Sequence, residues 1–149
     1  MDNRYYTSER FIWDNIKAEA ARGLKSVYES WRERRQVDPF VIAWPSETIL
    51  GEDGLPVNGA CVLDLPTNKT SWPETLHAFV QKTRAYALLL AEQKEREVSV
   101  VLESHHGSRG WSIPIHTSGD IRLLGEPEVT DDVHSIGILW RKRRPAQDS

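Results

Sequence analysis

Residues 7–36 read TSERFIWDNIKAEAARGLKSVYESWRERRQ, with no proline anywhere in the stretch. Ile12, Ile16, Ala20, Leu24, Val27 and Trp31 recur at steps of three and four, which aligns them on one face of a helix. Thr7 or Ser8 supplies an N-cap oxygen, and Glu9 places a negative charge in the first turn, where the helix dipole favours it. Val37-Asp38-Pro39 ends the helix, because proline disfavours a helical residue before it and has no N–H to donate. A long amphipathic helix of this kind needs a surface to lie on, and the rest of the chain must supply it.

Working outward, Phe40–Trp44 is an apolar run of strand length stopped by Pro45, and Ala60–Leu65 is another, closed by Pro66. Between them lie Gly51, Asp53-Gly54, Pro56 and Asn58-Gly59, all turn-forming, with Thr48–Leu50 as a brief extra strand. Ser71-Trp72-Pro73-Glu74 has the form of a capping box. The stripe Leu76, Phe79, Val80, Thr83, Ala87 and Leu90 then predicts a second helix reaching about Lys94, with Trp72 and Tyr86 in its core face and His77, Gln81 and Arg84 on its polar face.

After Glu97 the period changes to two. Val98, Val100 and Leu102 alternate with their neighbours, as do Trp111, Ile113 and Ile115, so a hairpin is expected around residues 105–110 with Ser104 opposite Trp111. Pro114 marks an edge or a bulge. Ile121–Leu124 and Val133–Trp140 complete the series, the last being apolar on both faces, as a central strand would be. The fold class read from this order is α+β. A mainly antiparallel sheet of about five to six strands carries two long helices packed on it, in the order α-β-β-α-β-β-β-β. Residues 1–149 form a single domain in this reading, with 1–6 and 141–149 as flexible ends.

Composition narrows function without naming it. A net charge of -3 and a pI of about 6.0 provide no global attraction for polyanions. Residues 1–36 are mildly basic, with eight Arg or Lys against six Asp or Glu, whereas residues 37–71 hold one against five. One cysteine, Cys61, excludes an intrachain disulfide, and the apolar strand around it predicts burial. The start of the chain has no apolar signal-peptide run and there is no stretch of 18 apolar residues, so a cytoplasmic location without membrane contact is expected.

Three functional readings follow. The densest set of metal ligands or acid-base groups is Glu103, His105 and His106 with Asp120 nearby, which suits a metal-dependent hydrolase or nuclease. The basic run Arg141, Lys142, Arg143 and Arg144, joined by Arg32, Arg34 and Arg35 of the first helix, suits phosphate contacts and so nucleic-acid binding. Against both stands the lack of a diagnostic motif: Gly51–Gly59 has neither a phosphate-loop ending nor a dinucleotide fingerprint.

The leading reading is therefore a small interaction or regulatory protein that binds another protein, or itself, without catalysis or cofactor. It rests on length. A helix of about 28 residues measures roughly 42 Å at its normal rise, while a compact chain of this size is roughly 38 Å across. Its apolar second half then needs a cover, which places Gly23, Val27, Tyr28, Trp31, Arg32 and Arg35 on a docking surface. Gly23 is a natural place for a bend or a close helix contact.

Overall fold

The computed structural model describes residues 9–45, 60–104 and 107–130. Helix α1 (Glu9–Arg34) leads into strands β1 (Phe40–Pro45) and β2 (Cys61–Asp64), and a single 3-10 turn (Lys69–Ser71) precedes helix α2 (Trp72–Thr83). Five strands follow: β3 (Ala85–Gln93), β4 (Glu97–Ser104), β5 (Gly107–Ser118), β6 (Ile121–Leu124) and β7 (Glu128–Thr130). They build one antiparallel sheet in the order β2-β1-β3-β4-β5-β6, with β7 also paired to β5. The α+β class with an antiparallel sheet is thus as expected, and the sheet has six to seven strands where about five to six were expected. No described helix is long and apolar enough to cross a membrane.

The two helices cover opposite faces. Trp13, Ile16, Ala20, Leu24, Val27 and Trp31 of α1 pack on Ala87, Leu89 and Ala91 of β3, Val98, Val100 and Leu102 of β4, and Trp111 and Ile113 of β5. On the other face Trp72, Leu76 and Val80 of α2 pack with Leu65 on Val41, Ala43, Ala85 and Leu88. The apolar stripe of α1 is buried from Ile16 to Trp31, and the helix runs through Gly23 without interruption.

The second helix is shorter than its periodicity suggests. It stops at Thr83, because Arg84 adopts a left-handed conformation (φ 52°, ψ 50°) and returns its N–H to the carbonyl of Val80. Ala85–Gln93 is the third strand, paired on one side with β1 and on the other with β4. Its Ala, Leu, Glu and Gln content favours helix in isolation. A central position with a helix on each face also demands an unbroken apolar run, and that demand prevails. Tyr86 is accordingly a core residue of β3 and not of α2.

The helix start differs as well. Ser71 makes no side-chain cap to α2, while Asn68 accepts the N–H of Thr70 at 3.0 Å and caps the preceding turn. The β4–β5 hairpin is tighter than expected: Ser104 pairs with Gly107, and Trp111 lies opposite Val100. Gly107 takes φ 143°, a region that side-chain-bearing residues avoid, so what looked like a long turn is the beginning of β5. The strands expected at Thr48–Leu50 and Val133–Trp140, and the two chain ends, lie outside the described residues.

Pro114 falls where expected, at an interruption. Its neighbours Ile115 and Ser112 pair with Leu124 and Glu128, so two residues of β5 oppose the three residues Gly125–Pro127, a bulge between β6 and β7. The Gly125 N–H donates to the Pro114 carbonyl at 2.8 Å. A Cβ at Gly125 would stand 2.7 Å from His116 Nε2 and 2.9 Å from Pro114 Cγ. The imidazole can swing outward but the pyrrolidine ring cannot. Gly125→Ala should therefore cost about 1–3 kcal/mol, read as a lower urea midpoint with an unchanged slope. An unchanged midpoint would show that the bulge has room.

Candidate functional site

Because α1 lies over the middle of the sheet, along β3–β5, the margin formed by β1 and β2 extends past it. The residues of that margin facing the helix side are Phe40, Ile42, Trp44 and Val62, by their pairing and alternation. Between them and the flank of α1 run two adjoining hollows that share Phe40, Ile42 and Val62. The smaller, about 120 Å³, is walled by Glu19, Ala20, Gly23, Leu24 and Val27 and floored by Trp44, Leu89 and Val100. The larger and more open, about 710 Å³, continues past Ser26, Ser30 and Arg34 toward Asp38, Asp64 and Leu65.

The local sequence explains the groove. Ala20, Gly23, Ser26 and Ser30 put short side chains along this flank of α1 while the long ones point into the core. At Gly23 a Cβ would meet nothing within 4 Å, so the space beside it is open. Val62 is 64% exposed, an unusual setting for a branched apolar residue in a strand. Charge marks the two ends. At one, the Glu19 carboxylate accepts the Trp44 indole N–H at 3.2 Å. At the other, Arg34 pairs with Asp38 at 2.9 Å, both half-exposed, so little stability comes from that pair.

The six residues expected on a docking surface of the first helix do not form one. Val27 and Trp31 are buried in the chain's own core, and the sheet is the cover that the helix needed. Tyr28 lies on the flank away from the groove and donates its hydroxyl to the Gly125 carbonyl at 2.7 Å. Trp31 likewise donates its indole N–H to the Arg122 carbonyl at 3.2 Å, with the Arg122 guanidinium 5.3 Å above its ring. Of the six, Gly23 and the buried Val27 line the groove, and Arg32 and Arg35 are exposed.

Glu103 and Asp120 are not brought together either. Glu103 is 5% exposed near the end of β4, opposite Ser108, whereas Asp120 follows Ser118 in the β5–β6 turn. Ten residues of strand separate Ser108 from Ser118, roughly 33 Å at about 3.3 Å each, so one ion cannot bind both. His105 and His106 lie outside the described residues, as do Arg141, Lys142, Arg143 and Arg144. Among the described residues no three His, Cys, Asp or Glu side chains are placed to hold a metal. His116 pairs with Leu123, beyond the last residue of β4 that β5 contacts.

Cys61 is exposed rather than buried, because among the described residues β2 is the outermost strand of the sheet and not an inner one. Asp64 is exposed at the strand end. Sequence reading missed Glu19, Phe40, Ile42 and Val62 as a group. The available signal was the row of small residues beside the apolar stripe of the first helix, which marks a flank with space next to it.

The chain matches no family model, no curated protein and no solved structure.

Burial raises the Tyr28 phenol above its ordinary pKa of 10.0, and the nearby Glu126 carboxylate raises it further. The unfolded chain then releases this proton first. Stability contributed here is intact below about pH 10 and falls as pH rises through the folded pKa. Urea unfolding between pH 9 and 11 should show a steeper alkaline loss in the wild type than in Tyr28→Phe. Parallel curves would mean that the phenol is as free in the fold as out of it.

Proposed function

We propose that this protein acts by binding another protein, without catalysis, and that the groove between α1 and the β1–β2 margin receives an extended segment of that partner. The observation that carries the reading is Val62, an exposed apolar residue on the end strand of the sheet, beside a hollow floored by Phe40 and Ile42. Among the described residues no strand pairs with the outer side of β2. Such an edge offers main-chain hydrogen bonds to an added strand, and the adjoining pockets select its side chains. From Glu19 to Arg34 the groove follows α1 for about 22 Å at 1.5 Å per residue, enough for six or seven extended residues of the partner.

Cys61 provides the test, because it is the only cysteine, is exposed, and lies next to Val62 on the outer strand β2, where a label on the opposite face still borders a strand added at that edge. A benzophenone attached to it should photo-cross-link one discrete protein in lysate. Val62→Glu should abolish the adduct at a stability cost within about 0.5 kcal/mol. Val129→Glu, an equally exposed site on β7, should leave it intact. An adduct that survives Val62→Glu, or is lost equally in both variants, would show that the groove does not hold the partner.

A further inference from the structure

The smaller hollow has a chemistry of its own. Its walls are almost wholly apolar, and among the described residues the one ionisable group on them is Glu19, half-buried at the rim. One carboxylate oxygen of Glu19 accepts the Trp44 indole N–H, and among the described residues its other oxygen has no partner. Lys17, the nearest described cation along the chain, is held away at Asp14 (3.3 Å) and over the Trp13 ring (5.5 Å). A carboxylate oriented by a fixed indole at the mouth of an apolar cleft favours a ligand with a cationic head and a small apolar body.

Size narrows the ligand further. An apolar cavity of roughly 150 Å³ accepts a benzene-sized molecule, and this cleft, about 120 Å³ and open at Gly23, matches one ring or a short branched alkyl group. We propose that the cleft between Gly23 and Trp44 binds a small arylalkyl or alkyl ammonium compound, with the apolar body on Leu24, Val27 and Leu89 and the ammonium group on Glu19. This ligand is distinct from the protein partner proposed for the outer groove, and neither requires the other.

The test uses three probes of equal size and different charge: benzylamine, benzyl alcohol and phenylacetate, titrated at pH 7 into the full chain labelled with nitrogen-15. The reporters are the Gly23 amide and the Trp44 indole N–H, one at the mouth and one on the carboxylate. Benzylamine, protonated at this pH, should shift both signals saturably, with an affinity about tenfold above that of benzyl alcohol, and phenylacetate should shift neither. Glu19→Gln should erase the preference for the amine while leaving weak binding of the ring. Gly23→Leu should fill the cleft and abolish all binding, and leucine also raises helix propensity at that site. No shift with benzylamine, equal affinity for benzylamine and phenylacetate, or a preference that survives Glu19→Gln would overturn the proposal. The Cys61 cross-link is read separately, so failure of one site does not imply failure of the other.

Discussion

Trp31→Ala is expected to lower the free energy of unfolding by about 3–5 kcal/mol, a large part of the 5–15 kcal/mol that holds a typical domain together. Trp31 is only 3% exposed, and its ring ties the last turns of α1 to the sheet. Three contributions vanish together: the buried ring, the hydrogen bond to the Arg122 carbonyl, and the stacked Arg122 guanidinium. Trp31→Phe separates them, since it keeps most of the buried area and should lose about 1–2 kcal/mol, chiefly the hydrogen bond. Urea unfolding of both variants measures the difference. A loss below 1 kcal/mol in Trp31→Ala would mean that the second half of α1 is not seated on its own sheet, and would restore the idea of an external cover.

Leu88→Ala is expected to cost about 2–5 kcal/mol, and it discriminates between two readings of residues 85–93. In the structure Leu88 is fully buried in the central strand β3, facing α2. In a helix continuing to Lys94 it would lie off the stripe of Leu76, Val80, Thr83, Ala87 and Leu90, and the same substitution would change stability by only a few tenths of a kcal/mol through propensity. The unfolding midpoint therefore reports directly whether this segment is the middle of the sheet.

Much of the fold was legible because its elements obey simple periods. The 3.6-residue stripe from Ile16 to Trp31 specified α1, and the alternation of Val98, Val100 and Leu102 specified β4. Reading failed where one pattern satisfied two structures. Ala85–Ala91 is apolar at every position except through the polarity of Tyr86, and such a run fits a helix face or a doubly covered strand equally well. Arg84, whose left-handed backbone ends α2, carries no such signal, since arginine has no special preference for that conformation.

The candidate site was less legible than the fold. The apolar stripe of α1, which by its length looked like a docking surface, is core. The groove lies on its flank, beside Gly23, with its floor supplied by Phe40, Ile42 and Val62 from strands more than five residues away in sequence. Glu103 and Asp120 failed for the converse reason. They are close in sequence, but Glu103 sits near the end of β4 opposite the start of β5, and Asp120 follows the far end of that extended strand.

Local sequence is enough to specify that α1 is a long amphipathic helix, that its stripe must be covered, and that antiparallel strands form the bulk of the fold. These are properties of local periodicity and of the cost of exposing apolar surface. What covers the stripe, which face each helix takes and where space is left over are settled by long-range packing. Those outcomes depend on strand order and register, through which β3 joins β1 to β4 in the centre and leaves Val62 at the margin. Pairing between distant segments is a competition among whole arrangements, and no short window of residues records its result.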